Sequence, residues 1–342
     1  MVSFAPWAVA VAVALGCSRV EEPAVDRPPP PLPSSPVPSA RAPEPALLAP
    51  TQLLSLASSP YQATLFADDE AIELLTGNAA YRFVPGGEPV SRALDLGFAA
   101  TVTRQNYVYW SEGAIWSATR RAPKANTPKK LAALAEQPQH FVADLASDDF
   151  AWLVHAADDR YAIDKLENKR VKRLYGSPGS IDALTLIGDT LYFVERPSAE
   201  GWRIGRVKLA GGDATFTASK SGRWPSALSR YKEDVLYYDG ARRNVALLSF
   251  DLQRERTLQT DFICSPFVAA ANVYCGAMQG IFELTDNNEK PRQLVAVSRS
   301  VIANLAINGE RLAFITDIGA PGQDQLALNV VSLAKPTGGA PD

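Results

Sequence analysis

A short apolar phrase recurs seven times along this chain. Its clearest copy is Tyr107-Val108-Tyr109-Trp110, four β-forming residues in a row, followed by Ser111-Glu112-Gly113 and a second apolar stretch from Ala114 to Ala118. The phrase returns as Phe150-Ala151-Trp152-Leu153, Leu191-Tyr192-Phe193-Val194, Val235-Leu236-Tyr237-Tyr238, Val273-Tyr274-Cys275 and Leu312-Ala313-Phe314-Ile315, with a weaker first copy at Ile72 to Leu75. Units about 40 residues long with several strands each cannot bury their apolar faces alone and must stack on one another, which is the pattern of a β-propeller. The expected fold is all-β: a seven-bladed β-propeller, with six blades as the alternative.

Each unit reads as an alternating strand, a turn, the apolar anchor strand, a polar or Gly-containing loop, a third strand and a fourth. In the fourth unit Ile181 to Ile187 leads through Gly188-Asp189 to the anchor Leu191 to Val194, then to Trp202 to Leu209, and through Gly211-Gly212 to Ala214 to Ser219. The anchors are apolar throughout because a blade buries both of its faces against neighbours. The ends of the chain carry a further signal. Residues 50–59, starting Pro50-Thr51-Gln52-Leu53-Leu54, align without a gap on residues 291–300, starting Pro291-Arg292-Gln293-Leu294-Val295. Thr51 to Ala57 therefore reads as a fourth strand, whereas the last unit supplies three, at Val301 to Ile307, Leu312 to Thr316 and Leu326 to Leu333. An N-terminal strand is expected to complete the last blade and close the ring.

The phrase Tyr107 to Trp116 resembles the YWTD-type propeller repeat, and Gly188 to Phe193 resembles the TolB-like repeat. The resemblance covers Thr51 to Leu333 and implies a propeller that binds proteins or other ligands; the YWTD family has six blades, against seven anchors here.

The first 50 residues read differently. Val2 to Gly16 is uncharged and rich in Ala and Val, too short to span a bilayer and of the length of a signal-peptide apolar segment. Ala14-Leu15-Gly16-Cys17 resembles the lipobox of bacterial lipoproteins, which implies lipidation at Cys17. From Pro23 to Pro50 the chain holds 11 of its 26 prolines and no aromatic residue, a composition that builds no core and suits a disordered tether. The organisation expected is a signal peptide over 1–16, the lipidated Cys17 and a Pro-rich disordered linker over 17–50, a propeller over 51–335 and a disordered tail over 336–342. Localisation in the cell envelope follows as an expectation, with the membrane met through the lipid anchor only. A net charge of -3 gives no basis for nucleic-acid binding. A monomer is expected.

Chemistry-bearing motifs are sparse. There is no Gly-X-Ser-X-Gly elbow, phosphate-binding loop, His-Glu-X-X-His or EF-hand loop in the sequence. No catalytic residue, metal or cofactor is expected. Cys264 and Cys275 fall in one unit, and a two-residue turn at Ala269-Ala270 would set them opposite each other on adjacent strands; a disulfide there is expected to add about 2 to 3 kcal/mol. The rim formed by the connections between blades and the loops after the second strands gathers His140, His155, Asp158, Asp182, Arg196, Arg223, Trp224, Asp239 and Arg242. These are the candidate ligand-binding residues, since loops on a rigid scaffold carry recognition. Trp110, Trp116 and Trp152 read as core, and Trp224, beside Pro225 in a loop, reads as a contact residue.

The function expected is a lipid-anchored cell-envelope module that binds or scaffolds an envelope protein, peptide or glycan, and is not an enzyme. The alternative is a metal-dependent propeller hydrolase or lyase of the lactonase type, with its site in the central channel.

Overall fold

The computed structural model describes residues 47–333 apart from residues 98, 122–126, 156–159, 199–200, 261, 288–289, 298–299 and 321–322, with backbone alone at His155 and Gln259. The readings of residues 1–46 as leader, Cys17 anchor and tether, and of 336–342 as tail, lie outside the described residues, as does Asp158. Among the described residues 28 strands form seven four-stranded sheets, and no helix is present. The chain folds as a seven-bladed β-propeller, not the six-bladed alternative. Successive blades span residues 64–93, 100–133, 140–177, 180–216, 228–259 and 267–296, and the seventh takes 302–332.

The seventh blade is completed from the other end of the chain. Thr51–Leu56 lies antiparallel on Leu326–Ser332, with Thr51 opposite Val330 and Leu56 opposite Leu326. Alternation along this strand turns Leu54 and Leu56 inward, where they pack with Ala313, Ile315 and Leu328. The strand expected from the match between the two ends is thus the outer strand of the last blade. It turns an open stack into a ring.

The apolar core lies between the sheets, not within one layer. Seven hydrophobic clusters each straddle one pair of neighbouring blades, and the seventh-to-first cluster is built like the others. The anchors supply most of them. Trp152 and Phe193 are fully buried, as are Val235 and Phe314 to within 1%. Each such side chain contributes about 1.5 to 3 kcal/mol on burial, which makes the anchors the main source of stability. In the fourth blade the rings of Phe193 and Phe216 close over Gly205, where a Cβ would come within 2.5 Å of the Phe193 ring. Glycine is required there by the close approach of the two rings. The fourth strand of this blade is shorter than Ala214 to Ser219, covering Thr215–Phe216 and continuing as a bridge between Trp202 and Lys220.

Carboxylates at the joints fasten blade to blade, Glu73 and Glu195 fully buried and Glu255 partly exposed. Glu73, in Ile72–Thr76 of the first blade, receives Arg120 from the second blade at 2.6 and 2.9 Å and Arg82 from its own. Glu195, on the second strand of the fourth blade, accepts from Ser177 of the third at 2.6 Å and from Arg203 at 2.7 Å. At the next joint Lys220 donates to the Tyr237 hydroxyl at 2.6 Å, and that hydroxyl donates to Glu255 at 2.7 Å; Lys220 also pairs with Glu255 directly. Removing one partner of a buried pair strands the other charge, at a cost of about 3 to 5 kcal/mol.

Deleting residues 47–56 leaves the last blade with three strands and its apolar face open, so the shortened chain is expected to lose its cooperative thermal transition; a transition at the full-length temperature would contradict the closure. The joint at Glu255 carries a pH dependence. Burial raises the Glu255 pKa, but hydrogen bonds from Lys220 and Tyr237 outweigh it and hold the carboxyl below its ordinary 4.5. Its stabilisation is therefore present above the unfolded value and lost as pH falls through the folded one. Glu255→Gln is expected to lower Tm at neutral pH and to flatten its decline on acidification, read from melting curves; parallel curves for the two proteins would contradict this.

Candidate functional site

Antiparallel order within each blade fixes which loops share a face. The connection from a fourth strand to the next first strand and the loop between second and third strands emerge on one side of the ring; the other two kinds of loop emerge on the opposite side. The first strands line the centre, where Thr64, Thr101, His140 and Thr185 from the first four blades border a cavity of about 230 Å3. A wider hollow of about 480 Å3 opens beside it, between the first strands of the third, fourth and fifth blades.

Asp182 lines that hollow, and Arg196 and Trp224 gather beside it. Asp182 sits where the pairing of Ser180–Ile187 with Thr190–Ser198 slips by one residue, from Ile181 opposite Glu195 to Ala183 opposite Val194. A bulge of this kind re-aims a side chain. Asp182 thereby meets Arg196 across the two strands, with Nη2 to Oδ1 at 3.0 Å and Nε also donating. The Arg196 guanidinium lies 3.9 Å over the Trp224 ring, a cation–π stack that brings in the connection to the fifth blade. Gly179 allows this packing, because a Cβ there would strike the Arg196 carbonyl at 1.9 Å. The result is a preformed rim element with both charges paired.

His140 lines the same hollow as Asp182 and Ser226. It is the first residue of His140–Ala143, so it belongs to an inner strand and not to the connection expected from sequence. Its imidazole is open to solvent yet ringed by surrounding blades, and desolvation holds its pKa below the ordinary 6.5. His155 ends the neighbouring strand Phe150–His155, opposite Tyr161. Asp239 serves the fold: it is buried, and its Oδ1 accepts from the backbone of Ala241 at 3.0 Å and Arg242 at 3.2 Å, which forms the turn. Arg242 lies 3.8 Å from Asp239 and 3.6 Å from Glu255. Arg223 folds over Gly240, with its Cδ 3.0 Å from where a Cβ would stand.

The cysteines are joined, but not through the expected register. Phe267 stands opposite Cys275 and Ala269 opposite Val273, so the turn holds three residues, 270–272. Cys264 precedes the strand and reaches Cys275 from the connection. Both cysteines are fully buried in the cluster between the fifth and sixth blades.

This face also carries apolar surface. Among the described residues eleven large hydrophobic side chains are exposed, and six of them, Tyr61, Trp224, Ile263, Met278, Val301 and Ile318, lie in loops of the His140 face. Of the other five, Val84 lies in a loop of the opposite face, Leu47 precedes the closing strand, and Leu53, Val90 and Val171 lie on outer strands. Ile263, Met278 and Val301 border a mostly apolar cavity of about 630 Å3 between the connections entering the sixth and seventh blades. A large apolar residue in a turn, such as Met278 ahead of Gln279-Gly280, is the sequence signal for this patch.

The sequence matches no known family. It matches no curated protein either. Solved propellers share the fold. Virginiamycin B lyase from Staphylococcus aureus superposes with a TM-score of 0.60 at 15% identity, covering 82% of this chain and 98% of its own. The Cps50 (Swd1) propeller domain of Myceliophteria thermophila gives 0.59 at 9% identity over 84% of this chain and all of its own. The WD40 propeller domain of Doa1 gives 0.57 at 7% identity over 83% and 97%. At these identities the likeness is one of fold.

An NMR titration of the full chain is expected to show the His140 resonance moving with a midpoint below 6.5. A midpoint at or above that value would mean the hollow does not enclose the ring.

Proposed function

We propose that this protein is a non-enzymatic binding module of the cell envelope, held at a membrane by a lipid on Cys17 and recognising a protein or peptide partner through the His140 face of the propeller. The observation that carries the reading is that six of the eleven exposed large hydrophobic side chains among the described residues lie in loops of one face, three of them around one cavity. A folded monomer leaves a contiguous apolar patch open where a partner covers it. Aromatic and Met side chains on a rigid rim are the groups that dominate such contacts. The paired Asp182 and Arg196, with Trp224 stacked on the guanidinium, give the same face a preformed polar element between the fourth and fifth blades. The address rests on the lipobox-like Ala14 to Cys17 and the Pro-rich stretch behind it.

A channel metal of the lactonase type would need several carboxylate or imidazole donors aimed at one point. Among the described residues no three His, Cys, Asp or Glu side chains converge. The channel wall holds Thr64, Thr101, Thr185, Leu184 and Phe141 beside His140. These side chains give that reading no donor set to build on.

Two experiments bear on the proposal. Cys17→Ser is expected to move the protein from the membrane fraction to the soluble fraction and to abolish incorporation of labelled fatty acid; unchanged membrane retention would sink the anchor. A photo-crosslinking residue placed at Met278 in cells is expected to give a discrete adduct that the same residue at Val84, on the opposite face, does not give. Equal adducts at both positions, or none at either, would contradict the binding face.

A further inference from the structure

The cavity bordered by Ile263, Met278 and Val301 has the chemistry of its occupant written on its edge. Its wall is apolar: Phe262 and Ile263 come from the connection entering the sixth blade, Met278 from the loop after that blade's second strand, and Val301 and Ile302 from the connection entering the seventh. Met278 is 85% exposed and Ile263 59%. At about 630 Å3 the space exceeds one side chain and suits a short extended segment with an apolar residue at its centre.

Arg243 stands at the margin. Its backbone is fixed, since its carbonyl accepts from the Thr260 hydroxyl at 2.7 Å, and its side chain is exposed. Among the described residues neither Arg243 nor Arg223 has a carboxylate partner, and Arg223 folds over Gly240, which sets it against the loop that carries Arg243. Nearby carboxylates are already engaged. Asp182 is held by Arg196, and Asp239 by its own turn. Among the described residues the surface therefore pairs an apolar hollow with two guanidinium groups that no carboxylate engages, and such groups attract and orient carboxylates.

The walls are also tied together. Cys264 follows Ile263 directly, and Cys275 precedes Ala277-Met278 by two residues. The disulfide joins the connection that carries one wall to the strand that leads into the other. Holding both walls before a ligand arrives reduces the ordering that binding requires.

We propose that this cavity docks an acidic peptide segment: an aliphatic side chain enters between Ile263, Met278 and Val301, carboxylates flanking it pair with Arg243 and Arg223, and the Cys264–Cys275 disulfide keeps the site open. The proposal rests on the binding-module reading and names the partner's chemistry.

The test uses the full-length protein and three labelled synthetic peptides: one leucine flanked by aspartates and glutamates, the same peptide with serine for leucine, and the leucine peptide flanked by lysines. Fluorescence anisotropy is expected to show the acidic leucine peptide binding at least about tenfold more tightly than either other, a difference that shrinks with added salt. Met278→Asp and Arg243→Glu, both on exposed side chains, are expected to weaken it about tenfold or more while leaving the melting curve in place. Reduction of the disulfide is expected to weaken it several-fold at a temperature where the ring stays folded. Equal binding of the lysine-flanked or serine peptide, no binding of the acidic leucine peptide, or indifference to both substitutions would overturn the proposal. A Met278 photo-adduct that persists beside such a result would leave the binding face standing and remove only the acidic-peptide chemistry.

Discussion

The contact on which this architecture depends is the ladder between Thr51–Leu56 and Leu326–Ser332. A propeller blade has no core of its own; each sheet buries its faces against the sheets on either side, and the seven interblade clusters are that core. An open stack would leave an apolar flank at each end. By giving the outer strand of the last blade to one end of the chain and the inner three to the other, the sequence makes the first and last blades neighbours in a single cooperative unit. The faces of the ring then have fixed positions, and a loop's place in the strand order determines which face it decorates.

The polar clasps work within that constraint. Glu73, Glu195 and Glu255 sit where two blades meet, the first two fully buried and the third partly exposed, and each is held by donors from both blades. Hydrophobic packing alone is tolerant of small slides between sheets; a carboxylate with directional donors is not. These pairs set how one blade is registered on the next, and through it where the rim loops stand. Arg196 serves the same end at the surface, tying the bulged Asp182 to Trp224 across two blades.

The blade anchors were legible in the sequence because burial on both faces writes an unbroken apolar run, which stands out at any spacing. The closing strand was legible for a different reason: residues 50–59 repeat residues 291–300, and a repeat has meaning only where the fold is periodic. The rim was expected as a set of loops; Trp224 does lie in one, whereas Asp182 and Arg196, which it meets, belong to the strands Ser180–Ile187 and Thr190–Ser198. What made them meet was not legible. The bulge at Asp182 is a slip in register that neither strand announces, and the three-residue turn after Ala269 shifted the cysteine geometry that a two-residue turn implied. Glu73 lies inside an apolar phrase and its partner Arg120 is 47 residues away, and Glu195 directly follows one with its partner Ser177 in the preceding blade, so neither clasp shows in a local pattern. The apolar patch as a whole has no local signature, because Ile263, Met278 and Val301 are single residues in three separate loops that only the ring brings together.

If the propeller is a binding module, the face bearing Met278 is covered in the cell. The chain has two methionines, Met1 and Met278, so oxidation at Met278 can be followed as one mass shift in one peptide. Sulfoxide formation depends on exposure of the thioether. The measurement is the rate of peroxide oxidation at Met278 in the purified full-length protein compared with the same protein in intact envelope membranes, normalised to free methionine added to each sample. Fast oxidation in isolation and marked protection in the membranes are expected. Equal rates in the two settings would contradict a covered face.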